Sequence, residues 1–140
     1  MEKIPYELID HTADMGMRVF AFDLAGLFQN AGMALFDQIA DLSRVSPGEK
    51  TRLEVAGADL ADLMFAWLGE LLYLWSGKGR LADKIRVRSV SETKMEADVW
   101  TGVYDPARRE IKHDIKAVTL HQLSVEKKND VWTARVFFDV

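Results

Sequence analysis

Apolar residues in this chain recur with two different periods, and the order in which those periods alternate leaves few folds open. After Asp59, the residues Leu60, Leu63, Met64, Trp67, Leu71 and Leu74 fall at helical spacing on one side, and Gly77 and Gly79 end the run. Asp59 supplies the side-chain oxygen that caps such a helix, which is predicted to run from Asp59 to about Ser76. Asp23 plays the same part for a second helix reaching about Ile39, whose Leu24, Leu27, Phe28, Ala31 and Leu35 follow the i, i+3, i+4, i+7 rule. Elsewhere the pattern alternates. Residues 4–9 and 15–22 predict a hairpin, because Met15, Met17, Val19 and Ala21 alternate with Gly16, Arg18, Phe20 and Phe22 across the polar loop Asp10-His11-Thr12-Ala13-Asp14. Ser46-Pro47-Gly48 is turn chemistry, followed by a short strand around Arg52 to Val55. From about residue 83 come four more strands: one carrying Ile85, Val87 and Val90, one carrying Met95, Ala97, Val99 and Thr101, one from Ile115 to Val125, and one from Val131 to Phe138. Lys127-Lys128-Asn129-Asp130 forms the hairpin turn between the last two. The order ββαβα followed by four strands predicts the α+β class: one two-layer domain over residues 1–140, its sheet largely antiparallel, with two helices packed on one face.

Composition narrows the chemistry. A chain of 140 residues that is 49% hydrophobic can bury its own core. Its 18 basic and 22 acidic residues leave a formal charge of −4, without the basic stripe of a stand-alone nucleic-acid binder. Any RNA contact is therefore expected to be local or to come through a partner. The absence of cysteine excludes disulfides, thiolate zinc sites and cysteine nucleophiles, and suits a reducing compartment. Met1 to Tyr6 lacks the basic and apolar regions of a signal peptide, and the longest apolar stretch, Leu63 to Trp75, is interrupted by Gly69 and Glu70. A cytoplasmic protein with no membrane partner is expected.

Three segments hold residues able to carry chemistry. Asp10, His11 and Asp14 share one inter-strand loop, where two carboxylates and an imidazole suit either cation ligation or ordinary turn capping. Phe137-Phe138-Asp139-Val140 ends the chain inside an apolar strand, whereas most chains end in frayed polar residues. A fixed end would place the terminal carboxylate and a main-chain carbonyl beside the Asp139 side chain; a solvated strand end is the alternative. In Lys116-Ala117-Val118-Thr119-Leu120-His121, a strand puts Lys116, Val118 and Leu120 on one face and Ala117, Thr119 and His121 on the other. Lys116 either snorkels to water or serves an anionic ligand. His121 suits a hydrogen-bonded sheet position, Glu70 a helix surface, and Trp67 and Trp75 the core.

Taken together, these segments resemble the archease family. Asp10-His11-Thr12-Ala13-Asp14-Met15-Gly16 is similar to its N-terminal signature, and Phe65-Ala66-Trp67-Leu68-Gly69-Glu70-Leu71-Leu72-Tyr73 to its second-helix segment. Lys116 to His121 matches its central strand and Phe137 to Val140 its C-terminal strand, so the resemblance spans the chain. Leu120 stands where the family commonly has an aromatic residue, and Val140 where isoleucine is usual; both exchanges stay apolar.

The resemblance implies an accessory protein for the RtcB-type RNA ligase of tRNA splicing or RNA repair, not an enzyme in its own right. Such proteins promote guanylylation of the ligase's histidine, sustain repeated turnover and contact RNA only through the ligase. It also implies a divalent cation held by Asp14, Asp139 and Val140, and a role in activation for Lys116. Oxygen ligands of this kind suit calcium, magnesium or manganese. His11, Glu70 and His121 are left without an assigned role. Two other classes remain open from the residues: a free-standing metal-dependent hydrolase using Asp14, Asp139 and His11, and a chaperone-like module for RNA-modifying enzymes that needs no metal.

Overall fold

The structure, a computed structural model, describes residues 4–9, 15–42, 48–104 and 111–140. Among the described residues ten elements follow in chain order: β1 (Tyr6–Ile9), β2 (Met15–Ala21), α1 (Leu24–Ile39), β3 (Glu49–Ala56), α2 (Leu60–Ser76), β4 (Arg80–Val90), β5 (Lys94–Val103), β6 (Ala117–Val118), β7 (Ser124–Lys128) and β8 (Val131–Asp139). The chain is α+β, and its strand pairings are antiparallel.

Both helices start where their caps dictate. The Asp23 carboxylate accepts from the Gly26 amide at 2.6 Å, and that of Asp59 from the Asp62 amide at 2.8 Å. Asp62 returns the favour by accepting from the Ala58 amide at 2.7 Å, which satisfies a further donor at the helix entrance. At the far end Gly77 caps α2 and Gly79 takes a φ of +65°, a left-handed conformation that suits glycine.

The strands divide into two sheets. One runs β1-β2-β8-β6, with β7 also on β8; the other runs β3-β5-β4. Each helix touches both sheets, α1 against β2, β8 and β4, and α2 against β3, β4, β6 and β7. Where the helices meet, Trp67 is fully buried and donates its indole N–H to the Phe28 carbonyl at 2.8 Å, so its one polar group is satisfied. The contact is close: a Cβ on Gly32 would lie 2.6 Å from Ile85 Cδ1 and 2.8 Å from Leu71 Cδ1. Trp75 is partly buried and meets Tyr104 edge to face, with ring centroids 5.1 Å apart.

One expected strand is interrupted. Instead of a continuous run from Ile115 to Val125, the chain forms two short strands, both paired with β8. Val118 opposes Phe138 and Ser124 opposes Arg135, so six steps on this side face three on β8 and three extra residues loop out. The loop is held from a distance. The Thr119 hydroxyl donates to the Phe137 carbonyl at 3.0 Å, Arg135 Nε donates to the Gln122 carbonyl at 2.9 Å, and Gln122 takes a φ of 51°. The faces assigned to residues 116–121 by simple alternation therefore do not hold beyond Val118, and Leu120 is 68% exposed. Beyond β7, Asn129 and Asp130 have φ of 52° and 64°, which makes the expected hairpin turn a type I′ turn. Among the described residues, no helix is long and apolar enough to cross a membrane.

Candidate metal centre

The end of the chain is anchored before it is exposed. Phe137 and Phe138 are 1% and 0% exposed, while Asp139 is exposed and Val140 is 55% exposed. Strand β8 has partners along both edges, and that pairing offsets the entropy that frays most termini. On one edge Met15 opposes Phe138 and Gly16 opposes Phe137. On the other, Ala117 opposes Asp139, the Lys116 amide donates to the Asp139 carbonyl at 2.8 Å, and the Thr119 amide donates to the Phe137 carbonyl at 3.0 Å.

Three segments far apart in sequence thus meet at one corner: the start of β2, the entrance to β6 and the end of β8. Asp10, His11 and Asp14 lie outside the described residues, and Met15 follows Asp14 directly in the chain.

Gly16 has a reason to be glycine. A Cβ there would lie 2.6 Å from Phe137 Cε1 and 2.8 Å from Cδ1, so only a bare backbone lets β2 lie against that ring. The Phe137 ring also meets His121 edge to face, with centroids 5.5 Å apart. The imidazole is exposed, and it packs on the aromatic residue that precedes the chain end by three. The alternation of residues 116–121 puts His121 in a sheet, whereas it lies in the turn after β6 and packs on Phe137; Gly16 within β2 signals the close approach of the Phe137 ring but not the histidine on it.

At this corner the described donors are hard oxygens: the Asp139 carboxylate, the Val140 terminus and main-chain carbonyls. Among the described residues, no three His, Cys, Asp or Glu side chains gather in a way that would hold a metal. Asp139 and Val140 could by themselves offer only part of a donor set, of oxygens, a chemistry that would suit calcium, magnesium or manganese rather than a thiolate-seeking metal. Lys116 is exposed at the same corner. Glu70 is exposed on α2.

A second group of polar contacts lies on α1. Tyr6 donates its hydroxyl to Asp37 Oδ2 at 2.5 Å, and Lys112 donates to the Asp37 carbonyl at 3.0 Å. Burial, then the hydrogen bond and charge of Asp37, push the Tyr6 phenol well above its ordinary range, so it stays a donor. None of these three residues is singled out by the sequence.

A model of the Archease protein family matches residues 6–140. The chain belongs to the archease family. Among its relatives, Protein archease of Methanopyrus kandleri is 34% identical over 140 residues, covering 98% of this chain and 100% of the relative. Protein archease of Methanosarcina acetivorans is 34% identical over 139 residues, covering 96% of this chain and 95% of the relative. The solution structure of Methanobacterium thermoautotrophicum protein 1598 superposes with a TM-score of 0.80 at 27% identity, covering 99% of this chain and 100% of that one. A crystal structure of an archease from Thermotoga maritima shares the fold with a TM-score of 0.64 at 23% identity, over 94% of each chain. Archease structures thus have the same α+β architecture, with two helices and mostly antiparallel strands.

Proposed function

We propose that this archease-family chain is a cytoplasmic accessory protein of an RtcB-type RNA ligase, promoting guanylylation of that ligase and its repeated turnover in tRNA splicing or RNA repair. It catalyses no ligation itself and works as one domain of residues 1–140. The observation that carries the reading is the convergence at one exposed corner of three segments that resemble the family's motifs, brought together by the pairing of Met15 with Phe138 and of Lys116 with Asp139.

Asp14, Asp139 and the Val140 terminus would hold a divalent cation at this corner, which when bound supplies positive charge among the carboxylates and Lewis acidity toward oxygen. The remaining chemistry belongs to the chain's own groups. Guanylylation moves negative charge onto the departing pyrophosphate, and an ammonium brought close to those oxygens stabilises such charge. Lys116 is that ammonium. The hydrogen bond from its main-chain amide to the Asp139 carbonyl ties the lysine backbone to the strand that bears the carboxylate. The acidic balance of the chain, −4 overall, suits approach to a basic RNA-binding cleft on the ligase.

The experiment is transfer of labelled GMP from GTP onto the ligase, with and without this chain. Faster labelling with the parent, lost in Lys116→Ala and Asp14→Ala variants that remain folded, is the expected result. Labelling that no variant changes would remove the proposed roles. GTP or phosphoester hydrolysis by the chain alone would favour a hydrolase, and ligase protection from aggregation that survives Asp14→Ala would favour a chaperone-like module.

A further inference from the structure

The three-stranded sheet turns one face to the helices and the other to solvent, and the solvent face is unlike the rest of the molecule. Met95, Ala97, Val99 and Thr101 of β5 point inward and are buried. The outward rows run across the sheet in register: Lys50, Trp100 and Lys84, then Arg52, Asp98 and Arg86, then Glu54, Glu96 and Ser89. With Arg88 in the β4 bulge and Lys94 on β5, six cations (Lys50, Arg52, Lys84, Arg86, Arg88, Lys94) face three carboxylates (Glu54, Glu96, Asp98), within a chain whose net charge is −4.

Asp98 organises this face. It is only 1% exposed although it lies on the solvent side, because Arg88 Nε at 2.6 Å and Arg52 Nε at 3.4 Å close over it. Arg52 also reaches Glu96 at 2.9 Å. A guanidinium has five donors, so Asp98 fixes the two arginines while using few of them. Beside this clamp, Trp100 is partly exposed between the lysines of its row, with Lys84 Nζ 4.6 Å from the ring centroid.

We propose that the outer face of β3-β5-β4 is a platform for single-stranded RNA, with a base stacked on Trp100 and phosphates on Lys50, Lys84 and Arg86. Charge complementarity selects a polyanion, and the half-open aromatic ring selects one whose units carry flat π faces, which an acidic polypeptide lacks. A base that takes the ring displaces an ammonium already positioned beside it, and that ammonium is then free for the adjoining phosphate. The acidic end of the face, Glu54 and Glu96, leaves the Lys50–Trp100–Lys84 end as the occupied part. A chain of acidic net charge can thus touch RNA locally without a basic surface overall.

The test is fluorescence anisotropy with the full chain and no ligase, titrated against a labelled oligouridylate and, separately, a labelled polyglutamate of equal charge. The expected result is salt-dependent RNA binding with quenching of tryptophan emission. Lys84→Ala combined with Arg86→Ala should lower the slope of log affinity against log salt by about 1.4. Trp100→Leu should weaken RNA binding about tenfold, and Trp100→Tyr should restore most of it. Circular dichroism establishes that each variant is folded, and the tyrosine variant carries the test if leucine is not tolerated. Absence of RNA binding, RNA binding equal in all variants, or polyglutamate binding as tight as RNA and indifferent to Trp100 would each overturn the proposal, the last in favour of an acidic protein partner.

Discussion

The main-chain amide of Lys116 donates to the main-chain carbonyl of Asp139 across 2.8 Å, which joins the entrance of β6 to the last residue of β8. Anything that disturbs the chain end therefore reaches the lysine, and anything that lengthens the chain removes the terminal carboxylate. A tag after Val140 is expected to weaken calcium or manganese binding at least about tenfold, as loss of support around a metal typically does, whereas a tag before Met1 is expected to leave it unchanged. Calorimetric titration of untagged, N-tagged and C-tagged protein measures this. Equal affinity in all three would remove Asp139 and Val140 from the metal site.

Gly16 and Phe137 form a pair that a double-mutant cycle can isolate. Gly16→Ala drives a methyl group into the ring at 2.6 Å and is expected to destabilise by about 1–3 kcal/mol. Phe137→Leu clears part of that space, so the double variant should lose less than the sum of the single losses. Urea midpoints supply the four values, and simple additivity would contradict the contact.

Acid should loosen the three-stranded sheet through Asp98. Burial alone would raise the pKa of this carboxyl, but hydrogen bonds from Arg88 and Arg52, with the charges of Arg88 and Lys50, outweigh it and hold it below the usual range. A group lowered on folding contributes stability that is fully present above its unfolded pKa, about 3.9, and is lost as pH falls through the folded value. Urea midpoints measured from neutral pH downward should fall in the acid range, and Asp98→Asn should be less stable at neutral pH with a flatter acid limb. An unchanged acid limb would show that Asp98 is not the titrating group.

Apolar side chains from both helices and both sheets share one buried cluster, including Leu27 and Phe28 of α1, Trp67 of α2, Val99 of β5 and Val136 of β8. Metal-free protein is accordingly expected to unfold in one calorimetric transition. Two separated transitions would mean that the sheets belong to different cooperative units.

What could be read from the residues follows from how local each cause is. The helices declare themselves, because Asp23 and Asp59 cap them from one turn away and the apolar stripe repeats within the element. The break after Val118 does not, since it depends on Phe137 and Arg135 reaching the loop from β8. Division of the strands into two sheets is equally remote, resting on β5 lying between β3 and β4. Asp98 alternates with the buried Ala97 and Val99 on the outer side of β5, and its own burial is equally remote in origin, because Arg88 in a β4 bulge covers it. At the candidate centre, Lys116, Asp139 and Val140 were named from motif segments and are found at one corner. Asp10, His11 and Asp14 fall outside the described residues, so their part in it rests on their position before Met15.

The central claim is that this corner activates a ligase, and the most direct measurement is the number of RNA joints formed per molecule of RtcB-type ligase when this chain is present in substoichiometric amount. The account predicts many joints per ligase with the parent protein and about one with folded Lys116→Ala or Asp14→Ala variants. Single turnover with the parent, or undiminished turnover with either variant, would contradict it.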